Sequence, residues 1–326
     1  MDRTYHHDAY DDDDLNAIQN GGGSLRMDAG EQVFFARQLD YVKAKTYDRL
    51  YPGLAGLRMV PITSEVPIYA ETFTYRSWDM VGMAKIIANY SQDLPRVDIK
   101  GREMTVRIRA IGDSYGYNMQ EIRASQALNA NLDTRRAEAA RRGIDQKLNQ
   151  IALVGDTMYG LLGLLNHPNI GVTVITGGWK TATSDSILAD LNAMYQAVIN
   201  QSSNIHQPNV MVMSPVSKTI LFQRYIGANA DQSIGEFFMK QMRSALNNPN
   251  FAIETAVELS AAYSPSGLNM AVMYERDENN LSLEIPERFT QWPAQQRVLE
   301  WIVPCTARCA GVVIYYPLCA TTASGM

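Results

Sequence analysis

Ser214 is the residue best placed to act as a nucleophile, since it follows the apolar run 210–213 and precedes Pro215, the pattern of a strand-to-helix turn. A serine at such a turn does acyl chemistry when glycines flank it and a base reaches its hydroxyl. Here the flanks are Met213 and Pro215, and serine followed by proline at the first helical position is the pattern of an N-cap. The cap reading is preferred. Residues 177–181 (Gly177, Gly178, Trp179, Lys180, Thr181) end on a lysine and a threonine as phosphate-binding loops do, but they lack the spaced glycines that cradle phosphates.

Metal or acid–base chemistry needs His, Cys, Asp or Glu brought together. His6 and His7 stand beside Asp8 and the acidic run 11–14, but in a polar tail that reaches the joint Gly21, Gly22, Gly23 and Ser24, where nothing preorganises ligands. His167 and His206 sit in loop-like contexts beside or near prolines, without a cysteine motif. Cys305, Cys309 and Cys319 lack Cys-x-x-Cys spacing and read as free thiols of a reducing compartment. Glu275, Asp277 and Glu278 surround Arg276 in a polar turn that continues through Asn279 and Asn280, and Asp113 stands alone after Gly112. Neither place offers paired carboxylates in an apolar setting, the arrangement that raises a pKa for proton transfer. The expectation is no catalytic, cofactor-binding or metal-ligating residue, and no enzyme.

Composition narrows the remaining classes. A chain of 326 residues with 46% hydrophobic and 19% charged residues can bury a sizeable core and usually divides into lobes. A net charge of −5 lacks the basic excess that drives counterion release on nucleic acid, so the chain is not expected to grip DNA. The acidic start fits no signal peptide, and no apolar run approaches membrane-span length, which points to a protein made and used in the cytoplasm.

The positioning elements centre on residues 118–155. Ala137, Ala140, Ile144, Leu148 and Ile151 keep the spacing of one helical face, Asn118 with Glu121 resembles a capping box, and Gly155 suits a left-handed stop. A single helix over these residues would be a rod of about 55 Å at about 1.5 Å per residue. Its other face carries Arg135, Arg136, Glu138, Arg141, Arg142, Asp145 and Lys147. That row is read as a solvated face stitched by weak pairs, ahead of a row of arginines meeting carboxylates on a neighbouring copy.

Upstream, residues 31–50 have an amphipathic helical pattern with Phe35, Leu39, Val42 and Tyr47. Strand-like segments follow at 59–62, 66–76 and 103–111, the last two joined by an excursion of some twenty residues. That excursion holds Trp78, Met80, Val81, Met83, Ile86, Ile87 and Tyr90, too apolar for a disordered linker. It is either an arm covered by a partner or a subdomain folded back on its own chain. Downstream, helices at 184–200, 214–225 and 237–246 alternate with strands at 171–175 and 210–213, the pattern of a mixed α/β lobe. Strands return at 269–275, 281–285, 297–303 and 311–316, suited to completing a sheet beside the long helix.

This order of elements resembles the major capsid proteins of tailed bacteriophages, with the Hong Kong 97 fold. The run 155–168 (Gly155, Asp156, Thr157, Met158, Tyr159, Gly160, Leu161, Leu162, Gly163, Leu164, Leu165, Asn166, His167, Pro168) looks like the turn after the spine helix in that family. The resemblance implies an α+β fold of five parts: an N-terminal arm (1–58), an extended loop and its base strands (59–116), a peripheral domain with the spine helix (117–165), an axial domain (166–285) and return strands of the peripheral domain (286–326). It further implies a homo-oligomer of pentamers and hexamers forming an icosahedral head that encloses double-stranded DNA without sequence-specific binding and without a membrane. Separate scaffolding, portal and decoration proteins would be partners, and the chain would end in the virion capsid after assembly in the host cytoplasm. An encapsulin-type nanocompartment shell is the alternative, and a hydrolase using Ser214 a more distant one. Lys85 and Lys100 invite comparison with members that crosslink subunits through lysine and asparagine, but no matching asparagine or acidic catalyst is identified, so no crosslinks are expected.

Overall fold

The chain divides into two units, Met1–Tyr51 and Pro52–Met326, and the computed structural model describes residues 53–81, 98–128, 135–175, 177–227, 231–246 and 248–326, all in the second. The histidine pair of the tail, the glycine joint, the amphipathic pattern 31–50 and the middle of the apolar excursion, with Lys85, lie outside the described residues.

The stretch read as one rod becomes a strand end and two helices. Strand β4 (Arg109–Asn118) stops at Asn118, whose N–H donates to Glu121 Oε2 at 3.1 Å and whose Oδ1 accepts from the Gln120 N–H at 3.3 Å. Helix α2 (Met119–Leu128) starts on that cap, and α3 (Arg135–Leu153) follows. The Arg136 guanidinium donates to both Glu121 oxygens, at 2.8 and 2.9 Å, and to the Gly116 carbonyl at 2.6 Å. A straight helix would hold residues 15 positions apart at about 22 Å, beyond the reach of these two side chains. A single straight rod is therefore ruled out, and the guanidinium ties α3 to α2 and to β4.

Within α3 the predicted face is buried from Ala140 onward: Ala140, Ile144, Leu148 and Ile151 enter the core and Ala137 is half-buried, while Arg135, Glu138, Arg141 and Arg142 stay exposed. Gly155 ends the run at φ +76°, where a Cβ would lie 2.5 Å from Asn166 Nδ2. The following turn folds back on the helix end, with the Leu164 and Leu165 N–H groups donating to the Ala152 and Leu153 carbonyls at 3.0 and 2.8 Å.

Beside α3 lies a sheet in which β12 (Glu300–Cys309) pairs antiparallel with β4, Glu300 opposite Asn118 through Cys309 opposite Arg109. The other edge of β12 carries β10 (Glu287–Gln291) and β11 (Gln295–Arg297). The expected strand 297–303 is corrected: the chain reverses there, with Arg297 paired to Glu300 and Val298 at φ +56°. A two-residue hairpin connection requires such a backbone, and Val298 and Leu299, which the alternation placed in a pleat, are exposed at the turn.

A second sheet has β9 (Leu281–Glu284) between β1 (Ile62–Thr63) and β13 (Gly311–Ile314). Of the strand read at 59–62, Met59 ends the helical turn α1 (Gly56–Met59), closed by its N–H donating to the Ala55 carbonyl at 3.0 Å, and Ile62 alone is in a strand, as the first residue of β1. The strand read from Val66 begins instead at Thr72, because Pro67 opens a turn closed by the Ala70 N–H on its carbonyl at 3.1 Å.

The α/β lobe is built on a five-stranded sheet in the order β5 (Gly171–Val172), β14 (Ala320–Ser324), β8 (Met270–Tyr274), β6 (Val210–Met213), β7 (Ala252–Thr255). Helices α4 (Ser184–Gln201), α5 (Pro215–Gln223) and α6 (Ile234–Lys240) accompany it, capped by Thr183, Ser214 and a Ser233–Glu236 capping box. Strands β7 and β14 carry no alternating pattern and are not anticipated in the sequence. Through β14 the C-terminal residues enter this lobe and do not stay beside α3.

Candidate assembly surfaces

Strands β2 (Thr72–Val81) and β3 (Asp98–Arg107) form a two-stranded ribbon, Thr72 opposite Arg107 through Val81 opposite Asp98. Among the described residues they pair with no third strand. Ten residues at about 3.4 Å each make each strand about 34 Å long. Cross-strand contacts hold it: the Thr74 and Thr105 hydroxyls at 2.8 Å, Arg76 Nε donating to Glu103 at 2.8 Å, and the Tyr75 hydroxyl on Met104 Sδ at 2.9 Å. The Trp78 ring lies across Gly101, where a Cβ would come within 2.8 Å of it. Even so, Trp78 is 63% and Ile99 58% exposed. An isolated hairpin is marginal in water, and this one presents apolar surface that a neighbour would cover.

Its root is fixed firmly. The Arg308 guanidinium on β12 donates to the Ile68 and Ala70 carbonyls, the Ile108 N–H donates to the Glu71 carbonyl at 2.8 Å, and Tyr75 meets Tyr315 edge-on with centroids 5.2 Å apart. The point where the N-terminal segment enters the described fold is fixed too: the Gly56 N–H donates to the buried Asn149 Oδ1 at 2.7 Å, and Asn149 Nδ2 donates to Glu258. On the outer side of α3, Arg141 pairs with Asp145 at 3.9 Å. Lys147 donates to Asp156 at 2.9 Å and holds that carboxyl below its usual range.

The side chains singled out for chemistry fall elsewhere, and among the described residues His206 and Glu275 come together as a pair without forming a larger cluster. Ser214 is fully buried, with its Oγ accepting from the Ser217 N–H at 3.1 Å as an N-cap. In the glycine run, Trp179 is fully buried and its Nε1 donates to Asp190 Oδ2 at 3.1 Å, so the run anchors a loop onto α4. His206 Nδ1 lies 2.8 Å from Glu275 Oε2, an oxygen that also accepts from Asn280 Nδ2 at 3.0 Å. Burial lowers the pKa of His167. The three cysteines are free and buried, and burial pushes the Cys309 thiol up to about 11 and the Cys319 thiol up to about 12. Among the described residues, no group of three His, Cys, Asp or Glu could hold a metal, and no helix is long and apolar enough to cross a membrane.

Two residues escape sequence reasoning. Arg308 looks like an interruption of an apolar strand, and its role depends on a loop 240 positions away. Glu284 is 2% exposed on β9. Its alternation with Leu283 and Ile285 was visible, but the cleft that it faces was not.

No curated protein matches the chain. Among solved structures, the capsid of Myoviridae phage XM1 is similar with a TM-score of 0.76 at 16% identity, over 89% of this chain and 98% of that one. Mycobacterium phage Bobi gives a TM-score of 0.61 at 12% identity, over 90% and 97%. The virus-like particle from Pyrococcus furiosus gives 0.53 at 14%, over 82% and 91%. These likenesses establish an α+β fold of the Hong Kong 97 capsid type. The family model described as "Major capsid protein" matches residues 82–325, and the chain belongs to that family.

Proposed function

We propose that the chain assembles as pentamers and hexamers into the icosahedral head of a tailed phage, and that the head encloses double-stranded DNA. The observation that carries this reading is the β2–β3 ribbon, which has no third strand among the described residues and leaves Trp78 and Ile99 exposed. In a closed symmetric shell every copy of such a ribbon finds the same neighbouring surface. The role is structural. The net charge of −5 suits a wall that surrounds DNA without gripping it.

In this assignment residues 59–116 form the extended loop and its base, 117–165 the peripheral domain and 166–285 the axial domain, with 286–326 returning to the peripheral domain and β14 crossing into the axial sheet. Residues 1–58 are the arm. Scaffolding, portal and decoration proteins would complete a head assembled in the host cytoplasm and carried in the virion.

Electron microscopy and sedimentation of the purified chain, with a nuclease-protection assay for DNA on particles from infected cells, test the proposal. Closed shells that protect DNA are expected. A monomer or dimer under all conditions refutes the assembly reading, and shells filled with a cargo protein in place of DNA would move the chain to the encapsulin-type compartments.

A further inference from the structure

We infer that the cleft at the root of the ribbon receives a basic side chain, a guanidinium or an ammonium, presented by a second copy of this chain. The inference rests on the shell reading above. The cleft, of about 760 Å³, lies between β2, the ends of β1 and β9 and the residues that follow β13, and three carboxylates line it: Glu65, Glu278 and Glu284. The rings of Phe73, Tyr75 and Tyr315 complete its wall.

Glu284 points to an absent partner. Its Oε1 accepts from the Ser282 hydroxyl at 3.0 Å and from the Tyr315 hydroxyl at 3.3 Å, whereas Oε2, buried with the rest of the side chain, has no partner among the described residues. An unsatisfied carboxylate oxygen withdrawn from water is costly and is normally matched by a donor. Burial raises its pKa, and the like charges of Glu65 and Glu278 act in the same direction. Neither of those two forms a salt bridge among the described residues. Arg76, the one basic side chain lining the cleft among the described residues, is held by Glu103 at 2.8 Å.

The chemistry selects the guest. Three carboxylates call for positive charge, and aromatic faces add cation–π attraction, which favours an organic cation. A bare metal ion is not suited, since these acids do not converge as a ligand set. The exposed Trp78 is also part of the cleft wall, so a copy that covers the ribbon must carry its own side chains across the mouth. That makes a neighbouring subunit the source.

Two variants test this. Glu284→Gln keeps the shape and the Oε1 contacts, and the pair Glu65→Gln with Glu278→Gln alters exposed side chains alone. L-arginine amide titrated into unassembled subunits, followed by the NMR signals of labelled tyrosines, should give saturable shifts that weaken about tenfold or more in both variants. The subunit concentration for half-assembly should rise about fivefold or more in the Glu65 and Glu278 double variant, with the melting temperature of the free subunit unchanged. Equal amide binding by wild type and variants overturns the inference. Lost amide binding with unaltered assembly also overturns it, because the guest would then be a free small cation. A wild-type chain that never assembles overturns the shell reading and the neighbour with it, whereas unchanged binding in a chain that does assemble overturns the cleft alone.

Discussion

Ile144→Ala tests which face of α3 holds the fold together. Ile144 is 1% exposed and belongs to the core that includes Leu148, Ile151, Leu283 and Val312. Shortening a fully buried isoleucine to alanine removes its transfer free energy and leaves a cavity, about 2–5 kcal/mol in all. The middle of that range, about 3.5 kcal/mol, corresponds to a melting-temperature loss of about 6 °C for a unit as large as Pro52–Met326, at about 2.1 cal/mol/K of unfolding entropy per residue. The control is Arg141→Ala, three residues earlier on the exposed flank of α3, whose side chain is 69% exposed and 3.9 Å from Asp145. It should change stability by about 0.5 kcal/mol or less. Thermal unfolding of unassembled subunits followed by circular dichroism separates the two. Ile144→Asp should be harsher still, leaving little soluble protein, because it buries an unpaired charge. If Ile144→Ala melts with wild type while Arg141→Ala falls by several degrees, the inward face has been misassigned.

Four further outcomes follow from particular contacts. Burial holds the Cys309 and Cys319 thiols up to about 11 and about 12, so at pH 8 an aromatic disulfide reagent should label them at the rate of global unfolding; labelling within seconds would contradict their burial. Lys147 depresses the native pKa of Asp156, so this pair's stabilisation is present above the ordinary carboxylate pKa and lost as pH falls through the lowered native value. Asp156→Asn should therefore flatten the acid limb of stability against pH, and a superimposable profile would count against the pair. Removing residues 1–23 should leave the subunit's circular dichroism unchanged while lowering the fraction of mass sedimenting as shells; normal shells would make the arm passive. Boiled particles should run as one band near 36.4 kDa on a denaturing gel, a ladder of multimers being the contrary result.

The parts of the fold legible in the sequence are those whose signal is local. The burial of Ile144, Leu148 and Ile151, the caps at Asn118 and Ser214, and the left-handed stop at Gly155 each follow from a few neighbouring residues. Errors arose where a distant partner decided the outcome. That α2 and α3 do not form one straight rod follows from Arg136 reaching Glu121 and Gly116, and nothing in a three-and-four periodicity reports such a tie. The hairpin at Val298 has no glycine to mark it, and its exposed valine and leucine imitate a pleat. For the same reason the cleft was invisible: Glu65, Tyr75, Glu284 and Tyr315 belong to four separate segments, three of them at the sheet of β1, β9 and β13 and the fourth, Tyr75, on β2 of the separate ribbon.

The central strands explain how one sheet serves both halves of the subunit. In β6, Val210 and Val212 enter the core shared with α3 and β12, whereas Met211 and Met213 enter the core shared with α4, α5 and α6. Strand β8 does the same, with Met270, Val272 and Tyr274 on the first side and Ala271 and Met273 on the second. The alternation of a pleated strand thus divides a continuous apolar run between two cores, which is why 210–213 shows no polar face. The Tyr274 hydroxyl donates to the Met59 carbonyl at 2.8 Å, tying this sheet to the turn from which the ribbon's root departs. The ribbon is consequently mounted on the best-buried part of the molecule while its own pairing stays local. A well-buried base carrying a ribbon with Trp78 exposed fits a chain of the major capsid protein family, in which a neighbouring copy would complete the buried surface.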